Sequence, residues 1–215
     1  MNQFHSDKWK SVIREGSAGL GIHVTSQQAE MMAVHAEELM RWNRKTNLTA
    51  ITDPMDIAVK HYIDSLIPLH KIAENTSLID IGTGGGFPGI PLKIVRPSLC
   101  VTLVDASRKK VNFLKQVIRL LNLENIEAVH ARIEEMGNDP QYRESFDTAI
   151  SRAFTDLERF AGLASPFLKN RGQLIAMKSR KTEEEVKSIS GFPKPPVVET
   201  YTLPFQGAVR SLIIL

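Results

Sequence analysis

Apolar positions recur along this chain at two different periods, and the change falls near residue 75. Before it the spacing is helical. Residues 7–20 read as a helix that closes at Gly19 and Gly21. Thr25 and Gln28 have the spacing of a capping box, and Ala29, Met32, Ala33, Ala36, Leu39 and Met40 follow at three- and four-residue steps. They predict a long amphipathic helix reaching about Trp42 and Asn43. Arg41, Arg44 and Lys45 crowd its C-terminus, where cations complement the helix dipole. Asp53-Pro54 then supplies a cap and a first-turn proline for a helix to about Leu69, which carries Ile57, His61 and Leu66.

After residue 75, short apolar runs alternate with helical patterns. Strands are expected at Ser77–Ile81, Cys100–Val104, Ile126–His130, Phe146–Ile150 and Gln173–Met177. Helices are expected after the first strand, over 107–121, briefly after His130, over 156–168 and near 182–189. Such alternation predicts an α/β domain with a parallel sheet covered on both faces. Val197–Leu203 and Val209–Leu215 differ, because only Pro204-Phe205-Gln206-Gly207 separates them. They predict a C-terminal hairpin, reached through the stiff Pro-rich stretch at 190–196. The expected architecture is a seven-stranded Rossmann-like sheet, five parallel strands plus the hairpin, over residues 73–215. Residues 1–72 form a helical N-terminal extension.

Composition narrows the class. The hydrophobic fraction of 42% and charged fraction of 24% belong to a soluble globular chain. No apolar run approaches the ~18–20 residues that span a bilayer. The N-terminus lacks the apolar core of a signal peptide, so a cytoplasmic protein is expected, with no membrane partner and as a monomer. Cys100 is the single cysteine, which rules out an internal disulfide and a cysteine-rich zinc site; it is expected in the core. No metal site is expected. Lys and Arg total 27 against 24 Asp and Glu, a mildly basic balance that permits an anionic partner.

The candidate chemistry sits after the first strand, in Asp80-Ile81-Gly82-Thr83-Gly84-Gly85-Gly86-Phe87-Pro88-Gly89. Strand, glycine-rich turn and helix start make a cradle for a nucleotide-like cofactor. Gly84 to Gly89 matches the dinucleotide fingerprint G-x-G-x-x-G, but it lies several residues beyond the strand, and Pro88 and Pro91 disturb the helix start a pyrophosphate would use. The alternative takes Asp80-x-Gly82-x-Gly84-x-Gly86 as the motif, the pattern of class I S-adenosylmethionine-dependent methyltransferases. Asp80 would order the loop and face the methionine ammonium. Asp105, at the end of the second strand, would accept both ribose hydroxyls; an NAD ribose would suit it equally. The antiparallel terminal hairpin favours the methyltransferase. No Asn/Asp-Pro-Pro-Tyr/Phe motif follows the fourth strand, which disfavours exocyclic amines as acceptors. Ser151-Arg152-Ala153-Phe154 stands there instead, an arginine and an aromatic suited to holding a purine.

Several segments together resemble the RsmG (GidB) family of bacterial 16S ribosomal RNA guanine-N7 methyltransferases. They are Trp42–Thr49, His61–Leu66, Asp80–Leu92, Asp105–Leu114, Arg132–Glu135 and Ser151–Phe154. Gly-Phe-Pro-Gly-Ile-Pro and Ser-Arg-Ala-Phe are the most family-specific of these. Gly85 and Phe87 vary in the family, and Lys60 stands where arginine is common. The resemblance implies methylation of one guanine in the 530 loop of the small-subunit RNA, with S-adenosylmethionine as cofactor. It places cofactor contacts on Gly82, Phe87, Ile133, Glu134 and Arg152. Guanine N7 carries a free lone pair, so no general base is expected; Arg152 would position base or cofactor, and His61 is expected to be a packing residue. RNA contacts are expected at Arg41, Arg44, Lys45, Phe154, Lys178, Arg180 and Lys181. Arg108, Lys109 and Lys110 divide evenly between RNA contacts and an ordinary solvated helix end.

Overall fold

The computed structural model describes residues 3–152, 156–179, 186 and 195–215. The expected strands form, and so do the expected helices that fall within the described residues, with shifts at their ends. Helix α1 is Asp7–Ala18 and α2 is Ser26–Thr46. The capping box is made in full: Thr25 Oγ1 accepts from Gln28 N, and Gln28 Oε1 accepts from Thr25 N. Such a cap contributes about 1 kcal/mol. Gln28 Nε2 also donates to the carbonyls of Ile94 and Val95, which ties the start of α2 to the far end of the sheet.

Beyond the Asp53 cap, the helical stretch changes type. It is α-helical over Pro54–Ile57 (α3), π-helical over Ala58–Ile63, α-helical again over Asp64–Leu66 (α4) and 3-10 over Ile67–His70. The last change coincides with Pro68, which has no N–H to continue an α-helix.

The strands are β1 (Ser77–Ile81), β2 (Cys100–Asp105), β3 (Ile126–His130), β4 (Phe146–Arg152), β5 (Leu168–Lys178), β6 (Val197–Thr202) and β7 (Val209–Ile214). Between them lie α5 (Gly89–Val95), α6 (Arg108–Leu120), α7 (Ile133–Met136) and α8 (Leu157–Ala164). The seven strands are ordered β3-β2-β1-β4-β5-β7-β6. β1 to β5 pair in parallel, and β7 pairs antiparallel with both β5 and β6. β5 begins five residues before its expected start, because the helix expected over 156–168 turns 3-10 at Ser165–Phe167 around Pro166. Of the helix expected near 182–189 only Val186 lies among the described residues.

Strand residues alternate between two cores, as a period of two requires. Leu78, Leu103, Ile150, Ile175 and Leu212 face one side; Ile79, Val104, Ala149, Leu174 and Ile213 face the other, against α7 and α8. The first core also holds Phe4, Trp9, Ile13, Ala33, Leu39 and Tyr62. The helical extension and the sheet thus bury their apolar surface in one continuous cluster. Cys100 departs from expectation: it is exposed, because it is the first residue of β2, ahead of the buried run Val101–Asp105. Among the described residues no helix is long and apolar enough to cross a membrane.

Candidate active site

Strand order reverses between β1 and β4, and ligands of open α/β sheets bind outside the carboxyl ends of the strands at such a point. The glycine-rich turn lies there. Gly82, Gly84 and Gly86 have φ of 72°, 59° and 88°, values that side chains other than glycine adopt rarely. The turn is pinned from below, with Gly82 N and Thr83 N both donating to the Val104 carbonyl at 2.9 and 3.1 Å. Asp80 pins it from within. Its Oδ2 accepts from Thr83 Oγ1 at 2.7 Å and from Gly89 N at 2.8 Å, spanning the turn and the start of α5. Burial pushes the Asp80 carboxyl up to about 6 against these two bonds. Its Oδ1 is buried with no partner among the described residues, so one acceptor remains beside the turn.

A cleft of about 240 Å³ opens at the ends of β1, β2 and β3, lined by Ile81, Gly82, Val104, Asp105, Ala106, Ala131, Arg132, Ile133 and Glu134. Nothing lies within 4 Å of the position a Cβ would take at Gly82, so a ligand can approach the backbone there. Asp105 Oδ2 accepts from Gly84 N at 3.1 Å and Oδ1 from Ser107 N at 2.8 Å. Each oxygen keeps capacity for a further donor, as vicinal ribose hydroxyls would supply. Lys110 Nζ stands 3.8 Å from the same carboxylate. At the opposite wall Glu134 pairs with Arg159 at 3.2 Å; its own backbone N–H, then Arg159, holds its carboxyl below the usual range. A cleft with glycine backbone at its floor and carboxylates at two walls fits S-adenosylmethionine.

A second cluster lies behind the turn. By strand parity Asp80 and Arg152 share the face covered by the extension. Arg152 donates to the Lys60 carbonyl at 2.9 Å and to His61 Nδ1 at 3.1 Å, and its guanidinium lies 4.9 Å from the centre of the Phe87 ring. A guanidinium only donates, so His61 Nδ1 accepts and Nε2 carries the proton towards Thr49 Oγ1 at 2.8 Å. Burial, then the Arg152 charge, lowers the His61 imidazole to about 3. His61 stacks on Phe87 at 4.6 Å and 17°. His35 approaches Phe87 at 5.1 Å while its Nε2 donates to the Gly85 carbonyl at 3.0 Å; burial holds it at about 4. Both imidazoles are therefore neutral at pH 7, and their low proton affinity makes each a weak general base. Asp64, Tyr201 and Arg210 extend the cluster to the hairpin: Tyr201 Oη donates to Asp64 Oδ1 at 2.9 Å, and Arg210 Nε is 3.9 Å from Asp64 Oδ2.

The two histidines make stability depend on pH. Their native values lie below the ordinary 6.5, so under that pH the unfolded chain binds protons the native one refuses, and stability falls as pH drops. A His35→Phe variant lacks one of these protons. Its stability relative to the parent should improve by about 1.4 kcal/mol per unit between pH 6 and pH 4.5. Urea titrations at several pH values check this; a constant difference would contradict it.

Of the expected cofactor residues, the structure gathers Gly82, Asp105, Ile133 and Glu134 around the cleft, with Gly84 bonded to Asp105. Asp80, Gly86, Phe87 and Arg152 do not line it. Gly86 packs on α5, where an added Cβ would overlap Ile90 Cδ1. Phe87 is buried among His35, His61 and Tyr62, its ring turned into the extension rather than to the cleft. Asp80 spends its Oδ2 on loop geometry. Arg41, Arg44 and Lys45 are exposed at the end of α2, with Arg41 paired to Glu38. Lys178 is buried, at 8% exposure, because β7 pairs across β5 at this residue; it does not offer a solvated cation. Phe154, Arg180 and Lys181 lie outside the described residues. His35 and Tyr201 carried no sequence signal, and Thr83 and Asp64 stood inside family-like segments with no role assigned to them, since their partners are distant or their types common.

The fold and the cleft together define a class I S-adenosylmethionine-dependent methyltransferase, an enzyme class whose Rossmann-like sheet ends in this antiparallel hairpin. Solved structures share the architecture at low identity. A SAM-dependent methyltransferase from Aquifex aeolicus matches with TM-score 0.54 and 16% identity over 82% of this chain and 96% of its own. A precorrin-6y C5,15-methyltransferase from Geobacter metallireducens matches with TM-score 0.53 and 13% identity over 70% and 85%. Sequence comparison is more specific. The chain matches the family described as rRNA small subunit methyltransferase G over residues 28–208, and it belongs to that family. The ribosomal RNA small subunit methyltransferase G of Geobacter sp. strain M21 is 44% identical over 212 residues, 96% of each chain. That of Acetivibrio thermocellus is 41% identical over 215 residues, 97% of this chain and 88% of its own.

Proposed function

We propose that this enzyme transfers a methyl group from S-adenosylmethionine to N7 of a guanine in the 530 loop of 16S ribosomal RNA, by direct in-line attack without a dedicated general base. Family membership across most of the chain supports the RNA substrate. The observation that carries the mechanism is the state of the site's histidines. His61 has both ring nitrogens engaged and is neutral, and His35 is turned to the Gly85 carbonyl. Guanine N7 has an in-plane lone pair and needs no deprotonation, so an enzyme acting on it needs alignment rather than a base. The bound cofactor supplies a methyl group on a positively charged sulfur. Asp105 holds the ribose, the Gly82–Gly84 backbone meets the amino-acid part, and Ile133 and Glu134 border the adenine. Phe87 and Asp80 fix the shape of the turn. Arg152 positions the base or the turn, anchored by Lys60 and His61. Arg41, Arg44 and Lys45 meet phosphates beside the target.

Incubation with labelled S-adenosylmethionine and 16S RNA or small subunits tests the reading. The expected product is one N7-methylguanine, mapped by chain cleavage at the modified base, and the single-turnover rate stays flat from pH 6.5 to 9. No transfer to any form of the RNA overturns the proposal. A rate rising tenfold per pH unit would overturn the base-free mechanism.

A further inference from the structure

From helix α6 we infer a second RNA-binding element: its outer face, continuous with the end of α2, is the track for the RNA backbone flanking the target base. The inference rests on the RNA reading above. α6 carries Arg108, Lys109, Lys110, Lys115 and Arg119 and no acidic residue. Its core face is Val111, Phe113, Leu114 and Val117. Arg108, Asn112, Lys115 and Arg119 recur at four-, three- and four-residue steps on the opposite face, and all are exposed, as is Lys109. Arg108, Lys109, Lys115 and Arg119 form no ion pair among the described residues; only Lys110 is near a carboxylate, that of Asp105.

The placement also runs against helix electrostatics. The first turn holds three cations where the dipole favours anions, and Ser107 gives no side-chain cap. A sequence shaped only for stability would place Asp or Glu there. Asp105 answers part of this, accepting from Ser107 N and standing 3.8 Å from Lys110, but Arg108 and Lys109 have no such partner among the described residues, and local rules broken this way concentrate where a ligand supplies the compensation.

α2 joins this face. Gln28 sits at the end of α5 and His35 at the Gly85 carbonyl, so α2 climbs towards the carboxyl ends of the strands while α6 descends from them. The two meet where Trp42 packs on Phe113, 5.8 Å between ring centres. Phe113 also stacks on His35 at 5.9 Å, so the first turns of α6 lie along the C-terminal half of α2, which ends in Arg44 and Lys45, and Lys110 of the same turns reaches Asp105 at the border of the cleft. On the hairpin side three cations of the described residues are withdrawn: Lys178 is buried, Arg210 faces Asp64 and Arg152 lies under the turn. A phosphate chain leaving the site is drawn over α2 and α6.

The test is the salt dependence of binding to a 16S RNA fragment, by fluorescence anisotropy. In the triple variant Lys109→Gln/Lys115→Gln/Arg119→Gln the slope of log affinity against log salt should become shallower by roughly 2, at about 0.7–0.9 for each phosphate no longer neutralised. Affinity at low salt should fall at least about tenfold. S-adenosylmethionine affinity should be unchanged, which reports an intact site. Lys8→Gln, an exposed cation on α1, should leave slope and affinity unaltered. Lys115→Glu, a single mid-helix change, gives the same direction should the triple variant melt early. Unchanged slope and affinity in these α6 variants, with RNA bound and methylated by the parent, overturns the track and leaves the enzymatic reading standing. Unchanged RNA affinity with weakened methylation of whole subunits also overturns it, and assigns α6 to a protein partner. A parent enzyme that methylates no RNA overturns the functional reading itself.

Discussion

Replacing Asp105 with alanine should weaken S-adenosylmethionine binding by about 100-fold or more in calorimetry while the protein still folds. The carboxylate is nearly buried and already accepts from Gly84 N and Ser107 N, so its position is fixed before any ligand arrives. Hydrogen bonds to a charged group contribute about 1.5–3 kcal/mol each. Losing two to the ribose costs about 3–6 kcal/mol, and each 1.4 kcal/mol is tenfold in affinity. The alanine also releases the Gly84 end of the turn, which adds an ordering cost to binding. Asp105→Asn should sit between the two, because it keeps one acceptor and the shape. An alanine variant with parental affinity would remove Asp105 from the cofactor site.

The largest effect on stability is expected at Gly89. A Cβ there would overlap Leu103 Cδ2 and lie 2.9 Å from Asp80 Oδ2. Leu103 and Asp80 are both fully buried on strands paired on either side, so neither can yield cheaply. Overpacking of this kind costs about 1–3 kcal/mol. Displacing the Gly89 N–H from the carboxylate costs a further 1.5–3 kcal/mol. Gly89→Ala should therefore lose about 3–5 kcal/mol in urea unfolding, a large part of the 5–15 kcal/mol typical of a domain. The matching Gly162→Ala, where nothing lies within 4 Å, should be close to neutral or stabilising. Equal, small effects at the two sites would mean the turn is looser than its hydrogen bonds indicate.

Much of this was legible in the chain. Buried parallel strands read as short apolar runs, and the five expected ones pair as anticipated. Asp80 and Asp105 were visible because a motif fixes each at a strand end. The interior of the site was not. Arg152 meets Lys60 across 92 residues and His35 meets Gly85 across 50, and no local pattern encodes either contact. Phe87 read as a ligand contact because its motif is specific, yet the same aromatic character buries it against the extension. Lys178 read as a cation at the mouth, but pairing of β7 with β5 encloses it. Cys100 shows the reverse: an apolar residue type at a strand's first position, before the layers close over it.

The bonds between the helical extension and the terminal hairpin bear on how the protein comes into being. Asp64 reaches Tyr201 across 137 residues, Asp56 reaches Gln206 across 150, and Lys71 reaches Glu199 across 128. On a ribosome these partners emerge at opposite ends of synthesis. Contacts so far apart are made late, after the entropy of closing a long loop has been met. The helices that roof the glycine-rich turn are thus made first, while the strands that fasten them are made last. A nascent chain short of its hairpin holds every residue that lines the cleft and lacks the ties that hold the roof in place.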